Sequence, residues 1–549
     1  MSRKSTKNTV TAGQPKRYSW VWVMLLAIIV LTSAVRIRLR DIPLERDEGE
    51  YAYAGQLILQ GVSPFSQVYN MKMPGIYAAY ALILAVFGQS CSGIHLGVAI
   101  INAATILLVF ILAKRFLDPP AALVAAAVFA LLSLDQRVNG FTANSEHFVI
   151  FFAVGGILLL LYAIERQKRT ALFGAALLLG TAFLMKQHGA AFIVFAGLYL
   201  LLSELRRRPF AWKKASATGI VFVIGVLLPF AATCLILKQA GVFGKFWFWT
   251  FAYAQKYVSS IPFKQGMQNL TDHWIWIVKS AVLIWILAGV GLVALFLNKK
   301  TKNHRMFIAG FFVFSFLSIC PGFYFREHYF ILLLPAVALS AGVGADSIIA
   351  IFSYGRSLFA AKIMPALLLL ALLLSAVYQQ REYLFVKSPT MVSRSTYGTN
   401  PFIESLEVAK FLRENTSEND RIAVIGSEPQ IYFYAGRRSA TGYIYTYALV
   451  ENHSYARKMQ EEMISEIEAA SPKFLVLVNV STSWLVKRGA ESMIFDWFRK
   501  YSEKYYKLVC VIDIPRNGNT IYRWGNDAST YSPMYKSWLA VYQRANREY

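Results

Sequence analysis

Just past the first apolar run the chain reads Arg46-Asp47-Glu48-Gly49-Glu50-Tyr51, and Lys72-Met73-Pro74-Gly75 closes the same loop before apolar sequence resumes. Three carboxylates beside hydrocarbon are costly unless solvated, paired or used, so the cluster reads as a functional site by default. Asp47 abuts Glu48, and two adjacent carboxylates at a low-dielectric surface raise each other's proton affinity, as a general base requires. Glu50 has a plainer reading. The stretch from Glu48 to Gln60 has the pattern of an amphipathic helix lying in the interface, where early acidic residues complement the helix dipole. Lys72, on a Pro-stiffened turn, is either a snorkelling flank or a point charge for a phosphate at headgroup depth.

Three further polar groups interrupt apolar sequence: Asn144-Ser145-Glu146-His147 at a helix start, Lys186-Gln187-His188 between two apolar runs, and Arg326-Glu327-His328-Tyr329. All fall in loops, or at ends of spans, that the topology places on one side. Lys72, Lys186 and Arg326 with His328, facing carboxylates, describe a pocket that takes an anionic head such as a phosphate and still leaves a base for a proton.

The elements that must position these groups are membrane helices. Of 549 residues, 56% are hydrophobic and only 16% charged, and apolar residues come in runs near the length that crosses a bilayer. The net charge of +25 is gathered in short joints, as the positive-inside rule places it, so nucleic acid is not implied. Cys91, Cys234, Cys320 and Cys510 are too far apart in sequence to indicate a disulfide framework or a Cys-based metal site. Residues 1–18 read as a cytoplasmic basic tail before a retained signal anchor.

Apolar segments follow at 19–38, 75–88, 92–114, 119–134, 146–164, 170–186, 188–204, 217–237, 274–297, 305–320, 328–353 and 361–378. Basic joints at Lys114-Arg115, Glu165 to Arg169, Arg206 to Lys214 and Lys299 to Lys302 mark the cytoplasmic side. The loop 39–74 and everything after about 379 then lie outside. A helix over 75–88 reaches only about 21 Å, short of a roughly 30 Å core, so it dips in or leans on the bundle, leaving about eleven crossings within a range of 11 to 13 membrane helices.

Residues 379–549 differ in kind from the 19–378 bundle. Short buried strands at 421–426, 473–478 and 507–512 alternate with helical periodicity at 402–414, 448–470 and 490–502, which predicts a small extracytoplasmic α/β domain. Gly426-Ser427-Glu428-Pro429 lacks the spacing of a nucleotide loop and reads as a structural turn. The aromatic run from Phe243 to Tyr257 reads as an interfacial belt in preference to a sugar-stacking platform.

Asp47-Glu48 after the first helix, Lys72-x-Pro74, Asn144-x-Glu146, Phe183-x-x-Lys186-Gln187 and Arg326-x-His328-Tyr329 followed by Pro335 resemble, in this order, the GT-C superfamily of membrane glycosyltransferases. The likeness is to bacterial relatives of the dolichyl-phosphate-mannose protein mannosyltransferases and to the lipid A aminoarabinose transferases. It implies a polyprenyl-phosphate monosaccharide as donor, in a multi-pass bacterial membrane protein, with inverting transfer at the outer face to a lipid, glycan or protein acceptor. It also implies Asp47 as base, Glu48 and Glu146 as its catalytic support, and Lys72, Lys186, Arg326, His328 and Tyr329 on the donor phosphate. No cofactor is required, and the carboxylates are compatible with a divalent metal. Two positions depart from the pattern: one proline follows Lys72 where many relatives have two, and Glu146 stands where several have aspartate. An oligosaccharyltransferase would share the bundle but usually carries a Trp-Trp-Asp motif, absent here. A lipid-linked sugar flippase or transporter would use the cations without needing Asp47.

Overall fold

The computed structural model describes residues 19–297, 302–353, 357, 359 and 363–545. The basic tail 1–18 and Lys299-Lys300-Thr301 lie outside the described residues. Among them, six helices are long and apolar enough to cross a membrane: Ser19–Arg38, Cys91–Lys114, Ser145–Arg166, Gln187–Leu205, Trp212–Gln239 and Leu334–Phe352. Val23, Leu31, Ile224, Leu227 and Ile236 stand exposed on their outer faces, as lipid-facing side chains do. This is a multi-pass membrane protein.

By length the helices fall below the expected eleven crossings. Pro74–Phe87, Pro119–Leu132, Arg169–Met185, Arg305–Ser318 and Met364–Gln379 are apolar but have 14 to 17 residues. Each reaches only about 21–26 Å, so the shortness predicted for 75–88 is shared by four other helices. The apolar run 274–297, expected as one span, is two helices, Phe263–Val278 and Val282–Leu297, bent by 111°. Buried Ser280 at the break donates to the Asp135 carboxylate and to the Ile277 carbonyl, holding the corner against the bundle. Lys264, Gln265, Asn269 and Asp272 make the first of the pair amphipathic.

Two short helices carry the first loop. We label Arg46–Leu59 α1 and Pro74–Phe87 α2. Helix α1 was expected at the lipid interface; instead every residue from Glu48 to Leu57 is buried, because the bundle covers one side and the C-terminal domain the other. Gly49 is what permits that second contact: a Cβ there would stand 2.6 Å from the Gln430 backbone nitrogen.

The C-terminal domain is α/β, as its alternation predicts. Its strands are β1 (Arg421–Ile425), β2 (Arg438–Ser439), β3 (Phe474–Asn479), β4 (Tyr506–Ile514), β5 (Ile521–Trp524) and β6 (Ser537–Arg544). They form one sheet in the order β2-β1-β3-β6-β4-β5. The β2-β1-β3 half is parallel and the rest antiparallel. Ile422, Val424, Phe474, Val476, Leu539 and Val541 are buried on one face of this sheet, where Phe411 of helix Glu404–Glu414 packs on Phe474. Phe498 of helix Met493–Tyr505, beside Ala456–Ala470, packs on Tyr542 on the other face. The helix Gln430–Ala435, after β1, seats the domain on α1.

Candidate active site

The first turn of α1 sends its charged side chains in separate directions, since successive residues on a helix are about 100° apart. Glu45 caps the turn: its carboxylate accepts from the Glu48 N–H at 3.1 Å, and the Glu48 carboxylate accepts from the Glu45 N–H at 3.1 Å. Arg46 points into the C-terminal domain. Asp47 points into a cavity lined by Lys72, Arg326, His328, Tyr329, Trp249, Tyr253, Tyr257, Tyr445 and Tyr447.

Glu48 does not join that cavity. It is fully buried in the bundle, where His95 Nε2 lies 2.9 Å away and the Ala143 N–H donates to it at 2.6 Å. Its contacts are those of a structural capping group, not of a partner to Asp47. Glu50, read as a helix-end charge, is also fully buried: Asn70 Nδ2 donates to it at 2.7 Å, and the Tyr77 hydroxyl donates to its other oxygen. Burial pushes the Glu50 carboxyl up to about 7. It likewise raises Glu45 to about 8, helped by the neighbouring charges of Asp47 and Glu48.

Asp47 goes the other way. Burial would raise it, but Lys72, then the His328 ring, and the hydrogen bonds from Lys72 and Tyr445 together hold it well below the usual carboxylate range. The elevation of Asp47 expected from its sequence neighbour is therefore absent. Lys72 Nζ donates to Asp47 Oδ2 at 2.9 Å and reaches the Tyr51 hydroxyl at 3.3 Å, while Tyr445 donates to Asp47 Oδ1 at 2.7 Å.

Lys186 donates to Glu146, and His328 Nε2 stands 3.9 Å from the same oxygen. Lys186 Nζ also sits 4.3 Å over the Tyr329 ring. Gln187 ties this corner to the first loop by donating to the Met71 carbonyl at 2.8 Å. Burial lowers the His328 imidazole to about 4, against the Glu146 carboxylate beside it, which raises it. Arg326 is held by aromatics: the Tyr257 hydroxyl lies 3.4 Å from its Nη2 and the Tyr324 ring 5.5 Å from its guanidinium carbon. Among the described residues it has no carboxylate partner.

Asp47, Lys72, Arg326, His328 and Tyr329 thus share one cavity, with Glu146 and Lys186 at its edge and Glu48 outside it. Trp249, Tyr253 and Tyr257 lie four residues apart in the aromatic run and are buried against the cavity. Only Trp247, half exposed, suits the expected belt. Arg46, Tyr445 and Glu428 carry no sequence signal that marks them as site residues. Among the described residues no three His, Cys, Asp or Glu side chains come together as metal ligands.

A second cavity, apolar and about 890 Å³, opens beside Pro74 and Gly75. Ile83, Val86, Phe152, Leu184, Met185 and Ile236 line it along the bundle flank.

The sequence profile of the dolichyl-phosphate-mannose-protein mannosyltransferase family matches residues 72–232. An undecaprenyl phosphate-α-4-amino-4-deoxy-L-arabinose arabinosyl transferase of Pseudomonas aeruginosa is 28% identical over 215 residues, 37% of this chain and 38% of the relative. A lipopolysaccharide core galacturonosyltransferase of Rhizobium johnstonii is 28% identical over 240 residues, 42% of this chain and 43% of that protein. The aligned stretch therefore spans less than half the length of either relative. The fold extends further: ArnT of Cupriavidus metallidurans, solved bound to undecaprenyl phosphate, superposes with a TM-score of 0.58 over 95% of this chain and 98% of its own, at 15% identity. The oligosaccharyltransferase AglB of Archaeoglobus fulgidus gives 0.52 over 93% of this chain and 75% of its own, also at 15%. The resemblance carried by the five motifs is borne out, and in matched sequence and overall fold the chain is similar to the GT-C membrane glycosyltransferases.

Proposed function

We propose that the protein is a glycosyltransferase that moves a monosaccharide from a polyprenyl-phosphate donor to a cell-envelope acceptor at the outer face of the membrane. The observation that carries this reading is the Asp47–Lys72 pair, open to a cavity with Arg326, at the head of an apolar groove. Lipid and phosphate would meet at Lys72-Met73-Pro74-Gly75, with isoprene units along Ile83, Val86 and Met185. One relative is named as an undecaprenyl phosphate-aminoarabinose arabinosyl transferase and ArnT was solved bound to undecaprenyl phosphate, which supports the donor class.

In the proposed reaction the acceptor hydroxyl hydrogen-bonds to Asp47 and attacks the anomeric carbon in line with the phosphate. The sugar–phosphate C–O bond breaks, the new glycosidic bond forms with inversion, and the hydroxyl proton passes to Asp47. Polyprenyl phosphate leaves as an anion held by Lys72 and Arg326, with His328, Lys186 and Tyr329 at its side. No covalent glycosyl intermediate and no metal ion enter these steps. The low proton affinity of resting Asp47 comes from Lys72; a donor phosphate draws that ammonium to itself and leaves the buried carboxylate a stronger base. The base is thus released when the donor is in place.

Purified protein given a cell-envelope extract as acceptor and a panel of undecaprenyl-phosphate-linked pentose, hexose, amino-sugar and uronic acid donors should release undecaprenyl phosphate from one class. Asp47→Asn should lower that rate by about 10²–10⁴. Release by Asp47→Asn at the native rate would sink the mechanism and favour a flippase that uses the cations alone.

A further inference from the structure

From the hydrogen bond between Tyr445 and Asp47, and the buried contacts that fix Tyr445 to the first loop, we infer that the C-terminal domain completes the active site, with Tyr445 as the positioning residue for the base. This rests on the reading of Asp47 as the base. Tyr445 lies 398 residues from Asp47 in sequence, yet its hydroxyl donates to Oδ1 at 2.7 Å while Lys72 takes Oδ2 at 2.9 Å. Two donors from different elements fix both the plane and the rotation of the carboxylate, so its remaining lone pairs face the cavity.

The segment that bears Tyr445 is anchored on both sides of it. On the near side, the Ser439 N–H donates to the Tyr53 hydroxyl of α1 at 2.8 Å, and the Tyr69 N–H donates to the Gly442 carbonyl at 2.8 Å. Gly442 permits this approach, since a Cβ would fall 2.3 Å from the Tyr69 ring. On the far side, Thr446 and Ser427 exchange hydrogen bonds at 2.9 Å. Ser427 and Glu428 are gripped by Arg46, the residue next to Asp47: Arg46 Nε donates to the Ser427 carbonyl at 2.6 Å and Nη2 to Glu428 Oε1 at 2.7 Å. Ser483 donates to the other Glu428 oxygen at 2.7 Å, so this fully buried carboxylate is satisfied on both sides. The turn Gly426-Ser427-Glu428-Pro429, a structural feature by sequence, is the socket that holds the base's own helical turn.

A purely structural docking would not need a phenol on the base. The distinction is measurable on the full-length protein with Tyr445→Phe, which removes one hydroxyl, and Gly442→Ala, which displaces the segment. The probes are undecaprenyl phosphate for binding and, for turnover, whichever panel donor is released fastest. Tyr445→Phe should lower kcat about ten- to a hundredfold, with KM, undecaprenyl phosphate affinity and melting temperature within twofold or a few degrees of native. Gly442→Ala should lower kcat at least as far. A native kcat in Tyr445→Phe, a loss confined to KM, or a loss matched by a lower melting temperature would each overturn the inference. Asp47→Asn, run in parallel, separates the two claims: full activity there removes the transferase mechanism itself, whatever Tyr445→Phe does.

Discussion

At the scale of single residues, the chemistry turns on how four neighbouring acids are partnered. Glu50, with its carboxyl raised from 4.5 to about 7, is stabilised in its neutral form by the fold, so its contribution is greatest at low pH and is lost as pH rises through that window. Glu50→Gln, which stays neutral, should flatten the fall in melting temperature between pH 5 and 8, a term of roughly 3 kcal/mol. An unchanged slope in thermal unfolding across that range would place the titration elsewhere. Lys72 and Asp47 make a second test, since they are paired at 2.9 Å and largely buried. Lys72→Met should destabilise by about 3 kcal/mol by leaving a buried carboxylate unpaired, and adding Asp47→Asn should recover much of it. Thermal melts of the single and double variants measure this, and a double variant no better than Lys72→Met would count against the pairing. Residue types at the site were legible in the sequence, because carboxylates and lysines beside apolar runs stand out. Side-chain direction was not: Asp47 and Glu48 are adjacent in sequence, and one turn of helix sends them to a cavity and to a capping contact.

At the scale of elements, the site depends on α1 being clasped between the bundle and the domain, and glycines permit both contacts. A Cβ at Gly49 would meet the Gln430 backbone at 2.6 Å, and one at Gly55 would meet the Ala81 backbone nitrogen at 2.9 Å. Neither neighbour is a flexible side-chain end, so backbone must shift, at a cost of about 1–3 kcal/mol. Gly49→Ala should loosen the domain and expose the 426–447 segment, read as faster amide exchange there with exchange in the bundle unchanged. Protection as in the native protein would mean the interface absorbs the methyl. Strand and helix alternation gave away the α/β domain, and β1, β3 and β4 fall where their apolar runs predict. The short strands β2 and β5 carry too few residues to show a period, and the break at Lys279-Ser280-Ala281 is invisible to hydropathy because apolar residues flank it on both sides.

At the scale of the whole molecule, one geometric fact links topology to chemistry: the C-terminal domain sits on the loop that carries Asp47, so the two share a side of the membrane. Which side that is can be predicted from charge. Lys114-Arg115, Arg166 to Arg169 and Arg206 to Arg208 end helices away from Asp47, and basic joints of that kind stay in the cytoplasm. The groove proposed for a polyprenyl tail fits this sidedness, because it starts at Pro74 and runs from the Asp47 side along the bundle. The predicted arrangement therefore has the basic joints inside, with Asp47 and the sheet outside, whatever the final count of crossings among the shorter helices. Alkaline phosphatase fused after the last residue should be active, and a cysteine placed at exposed Lys536 should react with a membrane-impermeant maleimide in intact cells. A cysteine at exposed Arg208, on the opposite side of the bundle, should react only after permeabilisation. The reverse labelling pattern would put the Asp47 cavity in the cytoplasm, where an outer-face acceptor could not reach it.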